Sequence, residues 1–265
     1  MLLCVDIGNT NIKIGLFNMG KLCCSWRIST DRNDLADEYA MLLLDLFATE
    51  GVRPSHITGC AISSVVPYLT QEFTELCKRY FKIDPVMPGG DTFTDVRVHT
   101  DNPAEVGSDL IMNALAARHL LGAPVIIVGL GTATTVVAVD QAGDLAGVAI
   151  APGVITSANS LFSSTSTLPR VALSKPKYAM GKNTVESLQA GLVYGFASLV
   201  EGLVKRMRDE LGADAPVVAT GGLSTAIAAE TDIITRVEPD LALIGLKLMY
   251  EMNVKGRKAR KEEHA

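Results

Sequence analysis

The chain has 265 residues, of which 48% are hydrophobic and 20% are charged, so it can bury a substantial core. Lys and Arg number 24 against 29 Asp and Glu, and the formal net charge of −5 argues against a general nucleic-acid-binding protein, which needs a basic face. No apolar run approaches the roughly 20 residues that cross a bilayer, and the sequence after Met1 lacks the basic stretch of a signal peptide. We therefore expect a cytoplasmic protein that binds neither nucleic acid nor membrane.

The first half of the sequence predicts three strands in succession, followed by helices and one further strand. Short apolar runs separated by glycine-containing turns predict strands at residues 2–6, 12–17, 22–28 and 57–63. Apolar residues at helical spacing, with Pro67 at a first turn, predict helices at residues 34–50, 67–80 and 103–121.

The second half repeats this order. Strands are predicted at residues 125–128, 133–139, 145–150 and 216–219, and helices at residues 184–211 and 240–252. The succession of strand, glycine turn, strand and third strand therefore occurs twice, at 2–28 and 125–150. This internal duplication predicts an α/β protein of two similar lobes with a cleft between them, divided as residues 1–118 and 119–265.

A polar turn follows the first predicted strand. Gly8 lets the backbone approach a ligand closely and direct its amides at a phosphate. Asn9 and Thr10 can add side-chain donors, and the Asp6 carboxylate can hold a metal ion that bridges phosphates. The same residues also suit a plain hairpin with a polar turn.

Small residues and hydroxyls fill the equivalent turn of the second half, which runs from Gly129 to Thr135. Two such turns facing each other would clamp a nucleotide, although a threonine-rich hairpin would have the same sequence. The string from Thr220 to Gly222 ends a strand and opens a helix, so its amides can also face an anion or nucleotide. The predicted phosphate contacts of this half are Gly131, Thr132, Thr134, Gly221 and Gly222.

Asp109 lies near the start of the helix predicted at 103–121. An acid in the first turn of a helix is stabilised by the helix dipole, which is one interpretation of this residue. The other is a general base that accepts the proton of a substrate hydroxyl.

Together these strings resemble the type III pantothenate kinases, a branch of the actin-like, hexokinase-like kinases. The resemblance covers nearly the whole chain, in order. The matching strings are Asp6 to Asn11, Ser64 to Pro67, Asn102 to Asp109, Asn113 to Ala117, Gly131 to Thr135, Pro152-Gly153, Leu168-Pro169, Gly181 with Thr184, Leu188 to Gly191, Thr220 to Gly222 and Gly245-Leu246. The resemblance implies a duplicated actin-like (ribonuclease H-like) fold that transfers the ATP γ-phosphoryl group to pantothenate, the first step toward coenzyme A.

The resemblance further implies a homodimer that binds ATP and pantothenate and uses Mg²⁺ and a monovalent cation, K⁺ or NH₄⁺. By this match Asp6 and Asn9 belong to the phosphate and metal site, and Asp109 is the catalytic base. The match also assigns a set of residues to the pantothenate pocket, with the last contributed by the partner subunit: Thr100, Gly107, Ser108 and Thr184.

Several positions depart from the family pattern. Members typically carry acids at the positions of Gly129 and Val137, an Arg at that of Leu110, and a Tyr at that of Thr100. Because losing one preorganised electrostatic contact commonly costs about 10²–10³ in rate, two alternatives stay open. One is a catalytically weakened paralogue with a ligand-binding or regulatory role, and the other is a related small-molecule kinase with a different acceptor. The missing acid at Gly129 also predicts weak or absent activation by K⁺.

Overall fold

The computed structural model describes residues 1–89, 92–165 and 167–262. In these ranges the strands are β1 (Leu2–Ile7), β2 (Asn11–Asn18), β3 (Lys21–Ser29), β4 (Gly59–Ser64), β5 (Val125–Leu130), β6 (Ala133–Val139), β7 (Leu145–Pro152), β8 (Val217–Thr220) and β9 (Arg236–Val237). The helices are α1 (Ala36–Thr49), α2 (Pro67–Leu76), α3 (Ser108–Leu121), α4 (Val154–Ser164), α5 (Thr184–Leu211), α6 (Ser224–Ala228) and α7 (Leu241–Glu262).

The chain divides into two compact units, each built around one sheet. The first unit comprises Met1–Val96, Ala104–Ala116 and the residues from Ala242 onward, and the second comprises Arg97–Pro103 and Ala117–Leu241. In the first unit the strand order is β3-β2-β1-β4, with β1 antiparallel to β2 and parallel to β4. Aromatic residues of α1 and α2 cover this sheet, and Tyr39, Phe47 and Phe73 are almost fully buried in its core.

The second unit repeats the same topology. Its strand order is β7-β6-β5-β8-β9, with β5 antiparallel to β6 and parallel to β8. The strands β7, β6, β5 and β8 therefore correspond to β3, β2, β1 and β4, and β9 is an addition at the edge. This repetition confirms the predicted duplicated actin-like fold with two similar lobes.

Some elements differ from the sequence-based prediction. Helix α4 and the two-residue strand β9 are not predicted by the sequence patterns, whereas the short helix α6 begins at Ser224, where the string ending at Gly222 predicts a helix start. Helix α4 is rich in serine, threonine and asparagine, which favour caps and turns over helix interiors, and it forms where Val154 and Ala158 can pack into the second core. The helix predicted to reach residue 80 ends at Leu76 and continues as a wider turn over Cys77–Phe81.

Helix α7 packs with the first unit, whereas the division predicted from sequence placed all residues after 118 in the second lobe. Three glycines leave room for this packing. A Cβ atom at Gly15 would meet the Leu243 side chain at 2.8 Å, one at Gly59 would overlap the Tyr250 ring, and one at Gly245 would overlap the Met112 backbone. Helix α7 therefore lies against β2, β4 and α3, a long-range association that strand and helix patterns do not reveal.

Helix α5 has 28 residues and is apolar and long enough, by length and composition, to cross a membrane. Its buried residues Phe196, Ala197, Val200 and Val204 recur at helical spacing and pack into the core of the second unit. One apolar face with an exposed opposite face is the pattern of a core helix in a soluble protein.

We predict that Gly245→Ala lowers the free energy of unfolding by about 2 kcal/mol, because overpacking a tight helix contact costs about 1–3 kcal/mol. The added methyl group would overlap the Met112 carbonyl group. Chemical denaturation measures this change.

The matched control is Gly195→Ala on the exposed face of α5, where an added Cβ meets nothing within 4 Å. This control should raise stability by up to about 1 kcal/mol through helix propensity. Equal effects of the two substitutions would show that α7 does not approach α3 as closely as described.

Candidate active site

Asp6 lies one residue before the end of β1, opposite Lys13 of β2 and beside Ser63 of β4. The residue is partly exposed, but its Oδ1 atom is buried and has no hydrogen-bond partner. Burial and, to a smaller extent, the charge of Asp109 raise the pKa of this carboxyl group from 3.8 to about 7, against opposing effects from Lys13 and a hydrogen bond with Ser63. An unsatisfied buried carboxylate oxygen is a position at which a cation would be stabilised.

Asp109 occupies the first turn of α3, close enough to Asp6 for their charges to interact. Burial raises its pKa, and the backbone amides of Leu110 and of Asp109 itself partly offset that effect. A Cβ atom at Gly107 would stand 2.5 Å from Asp109 Oδ1, so the absence of a side chain there lets the carboxylate fold back over the backbone. The structure thus brings Asp6, Gly107 and Asp109 together within the first unit.

The turn after β1 exposes Asn9 and Thr10 to solvent, as a ligand-binding turn requires. Its shape is fixed by hydrogen bonds from the Gly8 amide to the Asn11 carbonyl oxygen at 3.1 Å and from the Thr30 hydroxyl to the Gly8 carbonyl oxygen at 2.7 Å. The Arg32 guanidinium donates to Asn9 Oδ1 at 3.0 Å and adds a positive charge beside the turn. No sequence pattern indicates this role for Arg32, because it lies in the loop after β3 and only folding brings it to Asn9.

In the second unit, three glycine-containing turns meet at the ends of β5, β7 and β8. Gly131 and Thr132 are exposed, and the Thr132 carbonyl oxygen accepts hydrogen bonds from the Gly153 amide at 3.1 Å and the Thr156 hydroxyl at 2.7 Å. A Cβ atom at Gly153 would overlap this turn, and one at Gly221, whose φ is +99°, would lie 2.5 Å from the Leu130 carbonyl oxygen. The close approach of these backbones places Gly131 and Gly221 together; Gly222, predicted with them, is exposed.

Thr134, which is also predicted as a phosphate contact, lies within β6 and is buried. Thr134 lies on the face of β6 that carries Val136 and packs against α4 and α5; it is 1% exposed and its hydroxyl has no partner. A side chain this buried does not present its hydroxyl to a ligand, unlike the exposed Thr132. Thr132 is exposed because it lies in the turn before β6, whereas Thr134 lies within the strand on its core-facing side.

Gly129 occupies the position in β5 that Asp6 occupies in β1. Both are the fifth residue of a six-residue strand, and each lies beside a hydroxyl residue of the parallel neighbour, Thr220 for Gly129 and Ser63 for Asp6. A Cβ atom at Gly129 would stand 2.5 Å from the Thr135 hydroxyl. The second copy of the site therefore offers a neutral hydroxyl where the first offers a carboxylate.

The other positions noted from sequence have distinct environments. Leu110 is 9% exposed and Val137 is 1% exposed, so both belong to the packed interior. The Thr100 hydroxyl is buried without a partner, and Thr184 is exposed at the first turn of α5. Ser108, predicted to contact pantothenate, has its hydroxyl bonded to β4 residues instead.

Within the residues that the structure describes, no group of three or more His, Cys, Asp or Glu side chains could hold a metal ion alone. Mg²⁺ in phosphoryl-transfer enzymes commonly takes one or two carboxylates and completes its coordination with phosphate oxygens and water. Asp6, with its unpartnered buried Oδ1 atom and Asp109 nearby, fits that smaller requirement.

Comparison with known proteins identifies the family. The family model described as type III pantothenate kinase matches residues 2–206. The chain belongs to the type III pantothenate kinase family. A type III pantothenate kinase of Roseiflexus castenholzii is 52% identical over 253 residues, covering 96% of this chain and 99% of that protein. One of Bacillus cytotoxicus is 44% identical over 253 residues, covering 96% and 97%.

A structural relative supports the fold. A Baf family protein from Campylobacter jejuni superimposes with a TM-score of 0.59 at 17% sequence identity, covering 96% of this chain and 99% of that one. At this identity the likeness concerns the fold alone, and it agrees with the duplicated topology of this type III pantothenate kinase family member.

We predict that Asp6→Asn makes the ligand-free protein more stable than the wild type at pH 8. The unfolded carboxyl group ionises near its ordinary pKa of 3.8 and the folded one near 7, so the stability that Asp6 contributes is present at low pH and is lost as pH rises through that window. The melting temperature of Asp6→Asn should exceed that of the wild type by several degrees at pH 8, at about 2–4 °C per kcal/mol.

This advantage should shrink toward pH 4. Asp45→Asn on the exposed side of α1 is the control and should show no such dependence. A constant difference between Asp6→Asn and the wild type from pH 4 to pH 8 would contradict the assignment.

Proposed function

We propose that this protein transfers the γ-phosphoryl group of ATP to the hydroxyl of pantothenate, giving 4′-phosphopantothenate and ADP. The observation that supports this most directly is that Asp6 and Asp109 are both partly buried and close enough for the charge of Asp109 to raise the pKa of Asp6, in a chain of the type III pantothenate kinase family. Phosphoryl transfer needs mainly positioning and charge neutralisation, which a carboxylate pair provides when one member binds a cation and the other orients the hydroxyl.

In this proposal Asp109 is the general base. It accepts a hydrogen bond from the pantothenate hydroxyl, orients the oxygen toward the γ-phosphorus and takes its proton as the new P–O bond forms. The bond from the γ-phosphorus to the bridging oxygen breaks in the same transfer, and ADP leaves with that oxygen. Its raised pKa suits this role, because a carboxylate that burial makes more basic accepts a proton more readily. Gly107 keeps the space above its Cα open for the Asp109 carboxylate.

Asp6 is proposed to hold the Mg²⁺ that accompanies ATP. When bound, this ion neutralises charge on the phosphate oxygens. The Gly8 turn presents Asn9 and Thr10 as donors, and the Gly131, Thr132 and Gly221 turns of the second unit present backbone amides and hydroxyls to phosphate oxygens. These contacts are neutral, so the acids of the first unit carry the cation-dependent part of catalysis.

We further propose that the protein acts as a cytoplasmic homodimer, with Thr184 contributing to the pantothenate pocket of the partner subunit. Large apolar side chains are exposed in one stretch of the second unit and support burial against a second copy; they are Ile150, Ile155, Leu161, Tyr178, Met180 and Val185. Thr184 is itself exposed beside Val185. The proposed partners are ATP, pantothenate and a second copy of the chain. Nucleic acid and membrane are not among them.

The first test is pantothenate-dependent ADP formation with Mg-ATP. The wild-type protein should turn over, and Asp109→Asn should reduce kcat by about 10²–10⁴-fold, the usual contribution of a general base. Thr74→Ala, which removes a hydroxyl bonded within α2, is the folded control and should keep wild-type activity.

Absence of a pantothenate-dependent rate in the wild type would overturn the kinase proposal and favour the weakened-paralogue alternative. A rate with another hydroxyl acceptor only would favour the alternative kinase. An unchanged rate in Asp109→Asn would remove the assigned base.

We propose that activation by K⁺ or NH₄⁺ is weak or absent, because Gly129 supplies no carboxylate and the Thr135 hydroxyl approaches the space where a side chain would begin. The ADP-forming rate at fixed ionic strength should change less than about twofold when K⁺ replaces Na⁺, since a neutral hydroxyl binds a monovalent cation more weakly than a carboxylate does. A steep rise with K⁺ and none with Na⁺ would contradict this proposal.

A further inference from the structure

Two serine hydroxyls link β4, the strand beside Asp6, to α3, the helix that carries Asp109. Ser63 lies in β4 beside Asp6 and is fully buried, and Ser108 is the first residue of α3, directly before Asp109. Their hydroxyl oxygens are 3.0 Å apart, although the residues are 45 positions apart in sequence. This is a direct side-chain link between the two parts of the site within the first unit.

The hydroxyl of Ser108 has two further partners, both in the backbone of Ser64. The Ser64 amide donates to Ser108 Oγ at 3.2 Å, and the Ser64 carbonyl oxygen lies 3.1 Å from the same atom as an acceptor. Three contacts of its hydroxyl, one to Ser63 and two to Ser64, hold Ser108 in place at the start of α3. A hydroxyl engaged in this way is directed into the protein rather than toward a substrate.

The number of hydroxyl protons limits how the hydrogen bonds of Ser63 and Ser108 can be arranged. Each serine hydroxyl has one proton to donate. When Ser63 donates to the Asp6 carboxylate, it must accept from Ser108, and Ser108 no longer donates to the Ser64 carbonyl oxygen. When Ser108 donates to that carbonyl oxygen, Ser63 donates to Ser108 and Asp6 loses its donor. The Ser108 hydroxyl therefore determines whether Ser63 is available to orient the Asp6 carboxylate.

We propose that Ser63 and Ser108 form a positioning pair, which fixes the Asp6 carboxylate and the first turn of α3 relative to each other and so sets the geometry between cation and base. The proposal rests on the kinase function proposed above, because it assigns these hydroxyls a role in that same site. Neither serine is proposed to touch the reacting atoms. Their contribution acts through Asp6 and Asp109.

The kinetic test compares Ser63→Ala, Ser108→Ala and the double substitution. Each single change should lower kcat by about tenfold, because small misplacements of catalytic groups reduce rate strongly, while KM for ATP and for pantothenate stays within about twofold. The double change should cost little more than either single change, since both remove the same link. Ser108→Thr, which keeps the hydroxyl, should restore most of the activity.

A second measurement does not depend on turnover. Amide hydrogen exchange over residues 108–112 should become faster in Ser108→Ala and Ser63→Ala, with other helices unchanged, because the tether of the first turn of α3 is lost. Thr74→Ala again serves as the control.

The outcomes separate this proposal from the function it rests on. A wild type without pantothenate-dependent turnover would overturn the proposed function, and the exchange experiment would still decide whether the tether exists. Active variants with unchanged kcat, or a fall in kcat that Ser108→Thr does not restore, would overturn the positioning role. Unchanged exchange over 108–112 would overturn the tether.

Discussion

Two carboxyl groups, Asp6 and Asp109, are held close together in a partly buried environment, and the organisation of the first unit follows from this arrangement. Neighbouring buried acids disfavour each other's ionised form, which is why burial and the charge of Asp109 together raise the pKa of Asp6 to about 7. A bound cation would relieve this cost. The folded protein thus carries an electrostatic cost at this position, which lowers its stability as the Asp6 carboxyl group ionises.

The internal duplication explains how one fold supplies two kinds of ligand contact. The same strand order is used twice, with Asp6 at a strand end in the first copy and Gly129 at the equivalent position in the second. The first copy contributes charge, through Asp6, Asp109 and Arg32. The second contributes glycine turns whose backbones approach each other closely, at Gly153 and Gly221. In the proposed function, charge neutralisation therefore comes from the first copy of the motif and neutral hydrogen bonding from the second.

Much of this organisation could be predicted from sequence, because it depends on local patterns. The strands β1 to β8 and the helix over 184–211 follow from apolar periodicity, and the position of Asp6 near a strand end follows from the apolar run that precedes it. The family departures at Leu110 and Val137 were visible in sequence as missing polar groups. The structure shows both side chains packed in the interior, where they contribute apolar burial.

The rest depends on long-range contacts that no local pattern contains. Sequence could not show that α7 packs with the first unit, that Arg32 reaches Asn9, or that the Ser108 hydroxyl bonds to β4. The hydroxyl-rich string predicts Thr134 as a phosphate contact, yet its place on the core-facing side of β6 buries it, whereas Thr132 is exposed in the turn before that strand. Which face of a strand becomes the core is decided by the helices that pack on it.

The most direct test of the account is a carbon-13 NMR titration of the Asp6 carboxyl group in the wild-type protein and in Asp109→Asn. The account predicts a pKa near 7 in the ligand-free wild type, a lower pKa when the neighbouring charge is removed, and a further fall when Mg-ADP is added. An Asp6 pKa near 3.8 in the ligand-free wild type, unchanged by Asp109→Asn and by Mg-ADP, would contradict the claim that the two carboxylates form one cation-dependent site.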